Sequence, residues 1–130
     1  MPFSDPTPVL EKFPGGLWRL VEPVIYTTPA DDLVWVPAGF ETDLASIPRL
    51  VWSIFPRDGD YAPAAIVHDY LYRYHRMVGR AVDRPEADGI FLDGMVDLGI
   101  CLATRWTLYG AVRVGGLLAW RAGGKVEDSQ

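Results

Sequence analysis

The period of the hydrophobic pattern changes once along the chain, and this change constrains the fold more than any other feature. Residues 17–27 and 33–42 are rich in β-branched and aromatic residues, and the segment TPADD between them has turn composition, which predicts an antiparallel hairpin. After residue 61, apolar side chains recur at i, i+3 and i+4, the period of a helix. Strands followed by helices predict an α+β fold, here a small N-terminal antiparallel β hairpin or sheet packed on a three-helix core.

Three helices are predicted from this second pattern. The first covers residues 61–76. The second begins near residue 84, where Asp83 and Glu86 form a capping pair. The connection 77–84 is short enough to make these two helices antiparallel neighbours. The third covers about residues 100–121.

The chain is short enough to be a single domain. Residues 1–16 contain four prolines and a Gly-Gly pair, which predicts an irregular N-terminal arm. The α+β domain is expected over 17–121, and residues 122–130 are expected to form a flexible tail. Residues 43–60 alternate apolar side chains with prolines, and we interpret them as a loop with a short helical turn at 49–54.

Charge and targeting signals narrow the class of partner. The net charge is −5 with a pI near 4.8, which gives no basic footprint for nucleic acid. The N-terminus lacks the basic start and apolar core of a signal peptide, so we expect a cytosolic origin. The single cysteine, Cys101, excludes an intrachain disulfide and is expected to be a buried, inert thiol.

The third helix also requires a test for a membrane span. The stretch from Leu98 to Trp120 is long enough to cross a bilayer, but Arg105 and Arg113 lie inside it. Each arginine would cost about 2.5–3.5 kcal/mol near the centre of a bilayer. We therefore expect no transmembrane span.

The candidate site lies in AIVHDYLY, where His68 and Asp69 interrupt an apolar and aromatic run. On a helix His68 and Tyr72 are one turn apart on one face, and Asp88 on the neighbouring helix projects toward the same interface. A carboxylate there would hold the imidazole in one tautomer and raise its basicity, as a general base requires. His68, Tyr72 and Asp88 are therefore the candidate catalytic residues. Asp69 would remain available to bind a hard cation.

The loop FETDLASIPR supplies the other candidates. Asp43 follows a predicted strand end and would join Asp69 as a metal ligand, with calcium or zinc as the expected cofactor. Ser46 and Arg49 are candidate substrate-binding residues, because arginine can bind an anionic group through two hydrogen bonds. No other cofactor is predicted.

A structural interpretation of the same residues stays open. A His-Asp pair inside a fold can tie two helices and a loop together, and Arg49 can form an ion pair with Asp69 or Asp88. His75 is interpreted as part of a solvated helix end without function. The tryptophans are expected mostly in the core, with one or two free to anchor a partner.

Four segments resemble a known family in the same order. They are GFETDLASIPRLVW, AAIVHDYLY, RPEADGIFLDGM and YGAVRVGGLLAW, and together the resemblance covers roughly residues 15–121. The family is one of phage and prophage proteins known only as a domain of unknown function. The resemblance implies a bacteriophage or prophage origin and no particular activity. With this origin we expect the protein in the host cytoplasm after synthesis, and incorporation in the phage particle stays an open alternative.

A second resemblance is local and chemical. His68, Asp69 and Tyr72 are similar in spacing to the His-Asp-x-x-Tyr helix of secreted calcium-dependent phospholipases, in which an antiparallel helix supplies a further aspartate. This resemblance implies that His68 activates water, Asp69 holds calcium, and Tyr72 with Asp88 supports them. The glycine-rich calcium loop and the disulfides of those enzymes are absent from this sequence.

Three functional hypotheses follow. The first is a phage-encoded metal-assisted hydrolase acting on an ester, an amide or a cell-envelope substrate. The second is a non-catalytic virion, tail-assembly or accessory binding protein, with phage structural proteins as partners and a closed His68 network. The third is a factor that acts at the membrane surface through helix 100–121, against which the acidic net charge argues.

Overall fold

The computed structural model describes Phe3 and residues 10–13, 17–42 and 61–123. Antiparallel strands occupy the N-terminal part of these ranges and helices occupy most of the rest, which confirms the predicted α+β class. The strands are β1 (Leu10–Phe13), β2 (Leu17–Leu20), β3 (Val24–Thr27), β4 (Leu33–Val36), β5 (Glu41–Thr42), β6 (Arg76–Met77) and β7 (Arg80–Ala81). The helices are α1 (Ala62–Tyr74), α2 (Arg84–Asp97), α3 (Leu102–Gly115) and α4 (Leu117–Ala122).

The predicted hairpin is formed by β3 and β4. The two strands are antiparallel, and Thr27 pairs with Leu33 next to the turn. The Thr28 hydroxyl accepts a hydrogen bond from the backbone N–H of Asp32 at 3.0 Å and closes the turn. Alternate side chains are buried, among them Tyr26 and Val34, so one face of the hairpin contributes to the core.

The second sheet differs from the prediction. Strand β2 lies between β1 and β5 and is antiparallel to both. Leu10–Phe13 is therefore a strand, although residues 1–16 were expected to be irregular. The four residues of β1 contain no proline, so each can donate to a neighbouring strand. The prolines elsewhere in this segment concealed the signal.

Helix α1 begins and ends close to the predicted residues, and α2 begins at the predicted residue. Asp83 caps α2, because its side chain accepts a hydrogen bond from the backbone N–H of Glu86 at 2.9 Å. The connection between α1 and α2 contains the small hairpin of β6 and β7.

His75 lies at the end of a helix, as predicted, but it is partly buried rather than solvated. His75 ends α1 in the left-handed conformation with a φ of 57°, and its ring stacks on Trp120 with centroids 3.5 Å apart. His75 Nε2 also lies 2.9 Å from the Trp120 carbonyl oxygen. Trp120 lies on α4, which packs against the end of α1 and covers this ring. The residues around His75 in the sequence do not indicate this contact, because Trp120 is 45 residues away.

The predicted third helix is divided into α3 and α4 at Gly116. Adjacent glycines at 115 and 116 have low helix propensity. A Cβ atom at Gly116 would also lie 2.7 Å from the Tyr72 hydroxyl, so glycine permits the close approach to α1. No helix in the described part of the chain is long and apolar enough to cross a membrane.

The core lies between the strands and the helices. Its largest fully buried apolar side chains come from both parts of the fold: Leu20, Tyr26, Ile66, Leu71, Tyr72, Phe91, Met95 and Leu108. Cys101 was expected in the core but is exposed, because it is the residue that precedes α3. Trp35 and Trp106 are also about half exposed.

Candidate functional site

The structure brings together the three residues predicted to form the catalytic group. His68 and Tyr72 lie one turn apart on α1, and Asp88 lies near the start of α2. His68 Nε2 is 2.7 Å from Asp88 Oδ1, and the Tyr72 hydroxyl donates to the same oxygen at 2.6 Å. Because a carboxylate can only accept, the His68 nitrogen that faces Asp88 is a donor.

A third helix completes this group. Arg113 on α3 donates from a terminal guanidinium nitrogen to Asp88 Oδ2 at 2.7 Å. Both oxygens of Asp88 are therefore engaged, one by His68 and Tyr72 and the other by Arg113. We call His68, Tyr72, Asp88 and Arg113 the interhelical cluster, since it joins α1, α2 and α3.

Arg84 supports the interhelical cluster from the first residue of α2. Its Nε donates to the Tyr72 hydroxyl at 3.2 Å. One of its terminal nitrogens donates to the carbonyl oxygens of Val112 and Arg113, at 2.9 and 2.7 Å. These carbonyls belong to the last turn of α3, and that of Val112 also accepts a hydrogen bond from the backbone N–H of Gly116 at 3.0 Å. Arg84 thus satisfies the end of one helix and orients the hydroxyl of another.

The interhelical cluster is closed to solvent at its centre. The side chains of His68 and Asp88 are both 0% exposed, and that of Arg113 is 33% exposed. The His68 ring packs on the rings of Tyr72 and Phe91, with centroids 4.2 and 4.7 Å away. Among the described residues, every buried side-chain nitrogen and oxygen has a hydrogen-bond partner.

The environment fixes the charge state of the carboxylate and the phenol. Burial alone would raise the pKa of Asp88, but hydrogen bonds from His68 and Tyr72, the charge of His68 and the hydrogen bond from Arg113 outweigh it. The pKa of Asp88 is therefore below its usual value. The pKa of Tyr72 is raised, first by burial and then by its hydrogen bond to Asp88. Asp88 is thus an anion and Tyr72 a neutral donor at pH 7.

Asp69 has a different set of partners. It is buried, and its carboxylate accepts a hydrogen bond from the Thr42 hydroxyl at the end of β5. Arg73, one turn along α1, lies 3.5 Å from the same carboxylate oxygen and donates to the carbonyl oxygen of Glu41 at 2.6 Å. Asp69 therefore connects α1 to β5 through Thr42 and Arg73.

The remaining candidates in the loop cannot be placed. Asp43, Ser46 and Arg49, as well as the helical turn expected at 49–54, lie outside the described residues. Within the described ranges, no group of three or more histidine, cysteine, aspartate or glutamate side chains is arranged to hold a metal ion. The calcium or zinc site formed by Asp69 and Asp43 stays a prediction.

Sequence reasoning did not assign Arg113 or Arg84 to the site. Both arginines are charged residues at positions that the helical period places close to apolar side chains. A buried or half-buried arginine requires an acidic or carbonyl partner. The need of Arg113 for such a partner was the available signal, and Asp88 on an adjacent helix was the candidate that would have satisfied it.

Comparison with known families gives one match. Residues 18–112 match the family model described as "Protein of unknown function (DUF1353)", which spans well over half of the chain. The chain therefore belongs to this family. No curated protein matches the chain, and no solved structure matches it.

Proposed function

We propose that this chain is a non-catalytic, phage- or prophage-encoded binding protein in which the interhelical cluster stabilises the fold. The observation that carries the proposal is the state of Asp88. It is fully buried, and its two oxygens accept hydrogen bonds from His68, Tyr72 and Arg113. His68 and Tyr72 on α1 and Arg113 on α3 all donate to this one carboxylate on α2. This arrangement fixes the positions of the three helices relative to one another.

The same geometry argues against a role for His68 as a general base. Such a base must come within about 2.6–3.2 Å of the proton that it removes, directly or through one water molecule. The side chain of His68 is 0% exposed, and its ring is enclosed by Tyr72 and Phe91, so a substrate does not come within this distance of the ring while the cluster stays closed. Opening the cluster would expose a buried ion network whose disruption is costly.

A binding function agrees with the exposed apolar surface. Large apolar side chains are exposed on α3 and α4, including Leu102, Trp106, Val114 and Leu118. Tryptophan and aliphatic side chains with this exposure are candidates for contact with a partner. The resemblance of the four segments to phage and prophage proteins supports a role in a phage particle or in its assembly.

Two measurements test this proposal. First, the chain is sought in purified particles by co-sedimentation, with an unrelated protein of similar size as the control. We expect the chain to sediment with particles or with a particle subassembly.

Second, His68→Gln is compared with the parent protein in urea unfolding and in hydrolysis of ester and amide substrates. A stability loss without any turnover in either protein supports the proposal, and turnover by the parent that His68→Gln abolishes would overturn it.

A metal-assisted hydrolase is the second candidate, and two observations favour it. The His68–Asp88 hydrogen bond is 2.7 Å long, and Asp69 contacts Thr42, the residue that precedes the candidate ligand Asp43. Calorimetry with calcium and with zinc tests it on the parent protein and on Asp69→Ala and Asp43→Ala, each first checked for retained helicity. Stoichiometric binding that both variants lose would favour this candidate. An absence of binding to the folded parent would remove it.

A further inference from the structure

A cavity lies where β4, the end of α1 and β6 meet. Its volume is about 250 Å³, and the residues that line it include Trp35 on β4, Tyr70 and Tyr74 on α1, and Arg76 and Met77 on β6. We call these five residues the aromatic pocket. Trp35 is 49% exposed and Met77 is buried, so a ligand in the cavity reaches the indole from solvent.

The two tyrosines of the aromatic pocket form a preformed aromatic surface. Tyr70 and Tyr74 lie one turn apart on α1, and their ring centroids are 4.8 Å apart. The buried ring of Phe40 packs against both, with centroid distances of 5.6 and 6.3 Å. The tyrosine rings are therefore held in place before a ligand binds, which lowers the entropic cost of binding.

The polar groups of the aromatic pocket are available to a ligand. Within the described ranges, the side chains of Trp35, Tyr70 and Tyr74 make no hydrogen bond, and the guanidinium of Arg76 has no carboxylate partner there. Burial and Tyr74 raise the pKa of Tyr70, and the charge of Arg76 opposes this rise, so the guanidinium lies near the phenol. The aromatic pocket thus combines hydrogen-bond donors with one unpaired positive charge.

The lining has the composition of a protein interface. Tryptophan, tyrosine, methionine and arginine are enriched at such interfaces, whereas lysine, aspartate and glutamate are depleted. The described residues that line the cavity include no lysine, aspartate or glutamate. The volume is below the range of about 300–1,000 Å³ that holds a drug-sized ligand, so a short stretch of polypeptide fits the cavity better than a large cofactor does.

We propose that the aromatic pocket binds an extended segment of a partner protein that contains proline and an adjacent acidic residue. This inference rests on the proposed binding function and names the chemistry of the partner. Aromatic-lined grooves bind polyproline-type segments, because these segments are already extended and lose little entropy on binding. The carbonyl oxygens of such a segment have no internal hydrogen bonds, so they can accept from the tyrosine hydroxyls and the indole N–H.

The charge of Arg76 selects an acidic segment over other ligands of aromatic pockets. Tryptophan and tyrosine rings attract cations, but an unpaired guanidinium at the same cavity repels them. An aspartate or glutamate beside the proline would instead form a charge-assisted hydrogen bond with Arg76. Nucleic acid is disfavoured, because its affinity depends on many phosphate contacts and Arg76 is the one basic residue among the described residues of the lining.

Fluorescence anisotropy with labelled peptides tests the proposal on the full-length chain. The probe is a short peptide of prolines flanked by aspartates. One counterpart peptide has alanine in place of proline, and the other has lysine in place of aspartate. The pocket variants are Trp35→Ala and Arg76→Gln.

Each pocket variant has a matched control outside the aromatic pocket. Trp106→Ala is the control for Trp35→Ala, since Trp106 is 52% exposed on α3. Arg121→Gln is the control for Arg76→Gln, since Arg121 is exposed on α4. None of these four residues belongs to the interhelical cluster, and circular dichroism confirms that each variant is folded.

We expect saturable binding of the probe by the parent protein. Trp35→Ala should weaken it about thirtyfold, as the loss of a hot-spot tryptophan does. Arg76→Gln should weaken it by up to about fivefold. Both counterpart peptides should bind more weakly than the probe, and the two control variants should bind it as the parent protein does.

The proposal is overturned if the parent protein does not bind the probe, if either counterpart peptide binds as tightly, or if Trp106→Ala is as damaging as Trp35→Ala. Binding of a single-stranded oligonucleotide that Trp35→Ala abolishes would assign the pocket to nucleic acid and overturn the proposal. A dimer in sedimentation velocity that Trp35→Ala dissociates would assign it to a second copy and also overturn the proposal. Each of these failures leaves the co-sedimentation and the stability loss of His68→Gln as expected, so it is distinguishable from a failure of the proposed function.

Discussion

Replacing Asp88 with asparagine tests the energetic role of the interhelical cluster. The substitution keeps the size of the side chain but removes its charge and offers one acceptor oxygen in place of two. His68, Tyr72 and Arg113 would then compete for that oxygen, and the amide nitrogen would face donors. Asp88→Asn therefore removes the anion that three helices share.

The expected loss follows from the contacts that are broken. A hydrogen bond to a charged group contributes about 1.5–3 kcal/mol, and two of the three come from the buried side chains of His68 and Tyr72. The Arg113 contact is discounted, because its side chain is 33% exposed and can turn toward water. We expect the free energy of unfolding to fall by about 3–5 kcal/mol, the range found when one partner of a buried ion pair is removed.

Urea unfolding followed by circular dichroism measures this loss, with linear extrapolation to zero denaturant. Asp93→Asn is the matched control on the same helix, because burial and the charge of Asp97 raise the pKa of Asp93 and neutralising it should be neutral or slightly stabilising. Tyr72→Phe is a milder variant that should lose about 1.5–3 kcal/mol if Asp88→Asn does not fold. A loss below about 1 kcal/mol in Asp88→Asn, equal to that in Asp93→Asn, would refute the reasoning.

Three further predictions concern pH and glycine. The pKa of Asp88 is lowered in the folded state. The contribution of Asp88 to stability should therefore be present above about pH 4 and be lost as the pH falls further. In urea unfolding at a series of pH values, the stability of Asp88→Asn should decline less steeply in acid than that of the parent protein. The pKa of Tyr72 is raised, so the stability of the parent protein should fall as the pH rises above about 10. Tyr72→Phe should reduce this decline. An alkaline stability profile that is the same in Tyr72→Phe and in the parent protein would contradict this prediction. Gly116→Ala should cost about 1–3 kcal/mol in urea unfolding because its Cβ would meet the Tyr72 hydroxyl at 2.7 Å. Gly110→Ala, with nothing within 4 Å, should stabilise by up to about 1 kcal/mol, and equal effects at the two glycines would refute this account.

The parts of the fold that follow a regular period were predictable from the sequence. The 3.6-residue pattern identified α1, and the capping pair Asp83 and Glu86 identified the start of α2. The short connection between these helices then placed Asp88 opposite His68, and the structure has that contact at 2.7 Å. Local patterns sufficed here because a capping pair marks the start of α2 and the two helices are adjacent along the chain.

The parts that depend on contacts distant in sequence were not predictable in this way. Arg113 contacts Asp88 across 25 residues of sequence and His75 contacts Trp120 across 45. Neither separation leaves a periodic signal. Strand β1 was missed because prolines on both sides of it obscured four residues that can pair. Cys101 was misplaced because its position depends on where α3 begins rather than on its apolar neighbours.

The accessibility of His68 in the folded protein tests the central claim most directly. The chain has two histidines. Diethyl pyrocarbonate labelling followed by mass spectrometry of the peptides therefore measures the labelling rates of His68 and of the half-buried His75 separately. The urea-unfolded chain gives the reference rate. A closed structural cluster predicts that His68 is labelled only as fast as the protein unfolds, while His75 reacts at a measurable rate in the native state. Labelling of native His68 at a rate near that of the unfolded chain would contradict the account and return His68 to the candidates for catalysis.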